Sequence, residues 1–253
     1  MRDATQRRCP LRSSDTLLLI GHGSERYADA GRTLHVHADA LRATGRFAEV
    51  LVGLLHGKPS VADALARLTA ATVHVVPFLM EDGWFNKVAV PRALDPQHLA
   101  RGTIVRCHAP VGTHEAVALL AAARVVRTCD EQGWKAAELG VVLLGHGSAR
   151  APGREMALHR HARRLAGIGT YARVEAAFLE EPPFLPEQVA ALTGLPVVVV
   201  GFFAGEGAHV RDELPALLAA LQKKTSSALH YLGSVADEPG IRDIILDRVM
   251  AAG

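Results

Sequence analysis

The tetrapeptide Gly-His-Gly-Ser occurs at residues 21–24 and again at 145–148, and the 124-residue offset between the copies constrains the whole chain. The same offset carries Leu55 onto Leu179, Pro59 onto Pro183, Phe78 onto Phe202, Gly83 onto Gly207 and Val111 onto Val235. One register held without a gap through five elements marks an internal duplication, so the chain reads as two copies of one folding unit.

Each copy alternates short apolar runs with amphipathic stretches. In the first half, Thr16–Ile20 reads as a buried strand that ends in the GHGS turn, and a helix follows over about 29–44. A strand over Val50–Leu55, a proline-initiated helix over Pro59–Leu68 and a strand over Val73–Leu79 come next. After the Glu81-Asp82-Gly83 turn a helix is expected to about Leu99, then a strand over Thr103–Cys107 and a long helix over Thr113–Gln132. Strand and helix in alternation demand parallel pairing with right-handed crossovers. The expected fold class is therefore α/β: two tandem lobes, each a four-stranded parallel sheet flanked by helices. The expected divisions are a disordered leader over residues 1–14, a first lobe over 15–135 and a second over 136–253.

The chain has 49% apolar and 21% charged residues and a formal charge of +2, an ordinary globular balance with no basic stripe for nucleic acid. No apolar run approaches the roughly 20 residues of a membrane span, and the arginine-containing start has no apolar segment before Leu17. Cys9, Cys107 and Cys129 are too widely spaced for a zinc or cluster motif and read as buried or idle thiols of a cytoplasmic protein.

Three residues able to bind a metal follow successive strands of the second half: His146, Glu180 and His209. Loops after neighbouring parallel strands converge on one sheet edge, so two imidazoles and a carboxylate would meet there with coordination positions left for substrate. Each has a plainer reading: His146 as a turn residue between glycines, Glu180 as a solvated loop acid, His209 as a polar group at a helix start. The matching positions of the first half are His22, His56 and Phe85. One imidazole is kept, the acid has become a second imidazole, and the third ligand is lost. His22 and His56 are further metal candidates. Trp84 and Phe85 offer a flat wall for an aromatic or macrocyclic ligand, or a hydrophobic plug for the loop.

Ser148, Arg150 and Arg211 stand beside the ligand loops and are candidates for binding an acidic substrate, as are Arg26 and Arg154. His35, His37, His159 and His161 fall in predicted helices, where a solvated face is the default. GHGS lacks the spacing of a dinucleotide fingerprint and no Walker lysine follows it, so no nucleotide is expected.

The segments LIGHGS, VGLLHGKPSVADAL, VEAAFLEEPPFLPEQV and VVVVGFFAGEGAHVRDELP resemble the sirohydrochlorin cobaltochelatase and ferrochelatase family of tetrapyrrole biosynthesis, over nearly the whole chain, twice. The resemblance implies two chelatase-like α/β lobes and ATP-independent insertion of Co²⁺ or Fe²⁺, the metal being a substrate, into sirohydrochlorin. By motif it places the His, Glu and His ligands at His146, Glu180 and His209. The first lobe departs from the pattern at Phe85 and over EDGWFNKVAVP. The implied partner is a small tetrapyrrole, with no nucleic acid or membrane, and the chain is expected as a monomer or weak homodimer. A metal or tetrapyrrole carrier on the same lobes is the alternative.

Overall fold

The computed structural model describes residues 12–27, 29–99, 102–147, 156–205 and 209–251. These form two compact units, one comprising residues up to Thr113 together with the segment from Pro239, the other His114–Glu238.

Unit 1 is built on β1 (Thr16–Gly23), β2 (Glu49–His56), β3 (Thr72–Phe78) and β4 (Ile104–Cys107), all parallel in the order β2-β1-β3-β4. β1 lies at the centre because Leu17, Leu18, Leu19 and Ile20 are apolar on both faces and fully buried. Each such side chain contributes about 1.5–3 kcal/mol relative to exposure. α1 (Arg32–Arg42) buries Leu34, His37, Ala38 and Leu41, a helical stripe, against the sheet. α2 (Val61–Leu65) starts at a capping box in which the Ser60 hydroxyl accepts from the Asp63 amide and the Asp63 carboxylate accepts from the Ser60 amide.

The helix expected to reach Leu99 is shorter. A π-helical turn over Phe85–Ala89 runs into α3 (Val90–Ala93) and stops at Leu94, because Asp95 precedes Pro96 and is held out of the helical region at φ −55°, ψ 122°.

Unit 2 repeats this plan with β5 (Gly140–Gly145), β6 (Arg173–Phe178), β7 (Val197–Gly201) and β8 (Leu229–Ser234) in the order β6-β5-β7-β8. Its helices include α5 (Ala157–Ile168), α6 (Leu185–Ala191) and α7 (Leu214–Gln222). A π-helical turn over His209–Glu213 precedes α7, at the 124-residue offset from the π turn of unit 1. Val142, Leu144, Ala177, Val197 and Val199 of the sheet pack with Leu185 and Leu214 in its core.

The units depart from the repeat boundaries at 135/136 in one respect. α4 (Ala116–Gln132), the last helix of the first sequence copy, belongs to unit 2 and packs on α5 and β8. α8 (Ile241–Ala251), the last helix of the second copy, belongs to unit 1 and packs on β3 and α1.

Of the leader expected over 1–14, residues 1–11 lie outside the described set, and residues 12–14 form a turn in which the Arg12 amide donates to the Asp15 carboxylate and the Asp15 amide to the Arg12 carbonyl. His37 and His161, expected on solvated faces, are instead buried, their rings 5.6 Å from Phe78 and 5.4 Å from Phe202. Both occupy core positions of their helices, and position outweighs polarity when a ring neighbour is available. Cys107 is exposed and Cys129 buried, and Cys9 lies outside the described residues. No helix among the described residues is long and apolar enough to cross a membrane.

Candidate functional site

In unit 2 the carboxyl edge of the sheet brings two of the expected ligands side by side. β5 pairs with β6 up to Gly145 and Phe178, and the ladder continues past both strands: the Leu179 amide donates to the Gly145 carbonyl and the Glu180 amide to the His146 carbonyl, at 3.1 and 2.9 Å. This backbone registration sets His146 Nδ1 3.4 Å from Glu180 Oε2. Both side chains are partly exposed, so an imidazole and a carboxylate face solvent together and can share a cation or pass a proton.

Gly147, at φ +81°, closes the turn beneath the pair. A Cβ there would meet Glu181 Cγ at 2.9 Å and Phe178 Cβ at 3.0 Å, so both the left-handed backbone and the packing require glycine. Glu181, next to Glu180, is buried, whereas its counterpart in unit 1 is Gly57.

His209 is the first residue of the π turn that follows β7, and its side chain is not among those described. β7 lies beside β5 in the sheet, so the loop that carries His209 leaves the same edge as His146. Arg211 sits half-buried in that π turn. Ser148, Arg150 and Arg154 lie outside the described residues.

Unit 1 shows the same edge with different chemistry. β1 extends through His22 to Gly23, which pairs with His56 of β2. The two imidazoles stand with ring centroids 5.0 Å apart. His22 Nδ1 lies 2.8 Å from the Gly23 carbonyl oxygen, which can only accept, so a neutral His22 carries its proton on Nδ1 and its lone pair on Nε2. Gly23, at φ +68°, matches Gly147, and a Cβ there would run into the His56 carbonyl oxygen.

Phe85 opens the π turn and makes T-shaped ring pairs with His22 and His56, centroids 4.4 and 6.4 Å apart. It also packs against the unit 1 core, so it fills the third ligand position with apolar bulk. Trp84, 5.3 Å from Phe85 ring to ring, is 59% exposed and provides the open aromatic surface. The Ser24 hydroxyl accepts from the Arg26 and Tyr27 amides at 3.2 Å, a turn-closing role. Arg26 is exposed and lies over the Tyr27 ring.

Among the described residues no three His, Cys, Asp or Glu side chains meet closely enough to hold one ion, and the candidate ligands occur as the pairs His146–Glu180 and His22–His56. Sequence reasoning missed a third group away from these edges. Asp15, His74 and His108 form a buried chain in unit 1. The signal available for it was a lone histidine inside the valine-rich β3.

The CbiX family model matches residues 16–128 and, separately, 140–252. A probable sirohydrochlorin cobaltochelatase of Halobacterium salinarum is 26% identical, over 94% of this chain and 91% of that protein. A multi-domain protein of Deinococcus radiodurans, described as structurally similar to chelatases with two additional novel domains, matches with a TM-score of 0.81 at 27% identity. That match covers 94% of this chain and 55% of the other, so the chain spans little more than half the length of that relative. The structure of CbiX described as the terminal enzyme of siroheme biosynthesis in denitrifying bacteria matches with a TM-score of 0.72 at 25% identity, over 94% of this chain and 99% of that one.

Proposed function

The chain belongs to the CbiX family in both of its halves, and we propose that it inserts a divalent metal, Co²⁺ or Fe²⁺, into sirohydrochlorin or a closely related tetrapyrrole without ATP. The observation that carries this reading is the His146–Glu180 pair at the carboxyl edge of the unit 2 sheet, with His209 opening the π turn after the neighbouring strand.

The reaction exchanges two pyrrole N–H protons for one divalent ion, so the protein must hold the ion loosely and accept protons near neutral pH. Two imidazoles and one carboxylate suit both tasks, since they bind first-row divalent ions and leave positions for the ring nitrogens to take over. In this proposal His146 and His209 ligate the incoming ion as neutral rings. Glu180 offsets its charge and relays the released protons. Arg211 in the same π turn is suited to a peripheral carboxylate of the macrocycle.

Catalytic amounts of the protein added to sirohydrochlorin and Co²⁺ should drive a metal-dependent absorbance change through many equivalents, in the absence of ATP. Loss of that turnover in His146→Ala and Glu180→Ala would support the assignment. Binding of one equivalent of metal or tetrapyrrole without turnover would replace the enzyme with a carrier.

A further inference from the structure

Unit 1 contains a chain of ionisable groups that runs from Asp15, just before β1, through His74 of β3 to His108, just after β4. The Asp15 carboxylate lies 3.4 Å from His74 Nε2, and His74 Nδ1 lies 3.0 Å from His108 Nε2. Asp15, His74 and His108 are 7%, 2% and 8% exposed. The 124-residue offset places Leu139, Val198 and Leu232 at these positions in unit 2, so the fold itself does not need the chain.

Proton counting sets its limits. The carboxylate accepts from His74 Nε2–H, so a neutral His74 presents a lone pair at Nδ1 and receives the His108 Nε2–H. One added proton can be accommodated if His108 moves its hydrogen to Nδ1, where the Arg248 backbone carbonyl accepts it, and Asp15 balances the charge. A second added proton leaves two N–H groups facing each other at 3.0 Å with no acceptor between them.

The surroundings resist even the first. Burial is the main cause holding His74 below its ordinary value, opposed by Asp15 and reinforced by Arg106. Burial likewise pushes His108 down to about 4, reinforced by His74, Arg106 and Arg248 and opposed by a hydrogen bond to the Arg248 backbone.

Arg248 belongs to α8. Its Nη2 donates to the Pro110 carbonyl at 3.0 Å and to Thr113 Oγ1 at 2.7 Å, while its buried Nε has no partner among the described residues. The counterpart on α4, Arg124, donates to the Ser234 carbonyl at 2.6 Å and also pairs with Glu238 at 3.0 Å. Thus α4 is anchored by a buried carboxylate, and α8 instead meets, at the Arg248 backbone, the outer histidine of a pair that gains positive charge in acid.

We infer that the Asp15–His74–His108 chain is an acid-sensitive latch, which seats α8 on unit 1 when neutral and loosens it on protonation while α4 stays seated on unit 2. The sign follows from the protons bound. An opened state titrates its histidines near 6.5 and the closed state lower, so the opened state holds more protons between these values. The seating of α8 is therefore fully present above about pH 6.5 and is lost as the pH falls through the range toward about 4.

Hydrogen exchange of the full chain between pH 7.5 and 5, corrected for intrinsic rates, tests this directly. Protection of residues 241–251 should fall roughly tenfold or more relative to residues 116–132, and recover on return to pH 7.5. His108→Gln keeps a neutral donor for His74 Nδ1 and should abolish the selective fall, as should His74→Val with His108→Leu, which installs the unit 2 residue types. Equal loss of protection in both helices, or an undiminished fall in folded His108→Gln protein, would overturn the inference. If the double variant does not fold by circular dichroism, the wild-type comparison of α8 with α4 and the His108→Gln measurement each still decide it.

Discussion

Phe85 stands edge-on to His22 with ring centroids 4.4 Å apart, at the position in unit 1 that His209 holds in unit 2. An apolar ring thus closes the place where a third ligand would complete the His22–His56 pair. Phe85→Leu and Phe85→His should differ sharply in Co²⁺ stoichiometry. The leucine variant should match wild type, and the histidine variant should bind one further equivalent by calorimetric titration. An unchanged stoichiometry in the histidine variant would show that the π turn does not aim position 85 at the imidazoles.

Removal of the proposed ligands should act unevenly between the units. His146→Ala and His209→Ala are each expected to lower Co²⁺ affinity by about tenfold or more and to remove most turnover, whereas His22→Ala should cost less. All three should remain folded, because exposed strand-end positions such as His22 and His146 bury little area. Metal titration, steady-state turnover and circular dichroism of the three variants give the comparison, and equal losses from His22→Ala and His146→Ala would defeat it.

The two turn glycines should be intolerant for a backbone reason. Gly23→Ala and Gly147→Ala force a side chain onto φ +68° and +81° and into the His56 carbonyl or Glu181. A loss of about 1–3 kcal/mol is expected for each by urea denaturation. Gly45→Ala, also at positive φ but with nothing within 4 Å of the added Cβ, should cost less and isolates the packing contribution.

Glu238 is the buried carboxylate of unit 2 that Arg124 and Arg127 share at 3.0 and 2.7 Å. Glu238→Ala leaves the Arg124 charge, on a side chain only 19% exposed, without its carboxylate and should destabilise by about 2–4 kcal/mol. Arg127→Ala removes a side chain that is 52% exposed and should cost less than about 1 kcal/mol. Thermal melting of both variants checks the ranking.

The architecture was legible because apolar runs such as Thr16–Ile20 and Val197–Val200 can only be strands buried on both faces, and the 124-residue offset doubled every assignment. Strand-end logic also brought His146 to Glu180 and His22 to His56, since β5 and β6, like β1 and β2, are neighbours in their sheets.

Other features were not local. A repeat period identifies copies of a helix but not the sheet each copy covers, so the seats of α4 and α8 could not be read from it. The His74–His108 bond joins residues 34 positions apart on β3 and just after β4, and no periodicity encodes such a partner. The burial of His37, by contrast, was readable: Leu34, His37, Ala38 and Leu41 form one helical stripe, and the polar name obscured the position.

The seat of α8 also orders the steps by which a ribosome can deliver a finished fold. Unit 2 is one contiguous stretch and can close once its own residues have emerged, but unit 1 lacks Ile241, Ile244, Ile245 and Val249 until all of unit 2 has been translated. At ordinary elongation speeds that interval is roughly 7–28 seconds, during which β3 and α1 stand without their covering helix. The half of the protein that is made first thus waits for α8, made after the whole of unit 2, before its own core can close.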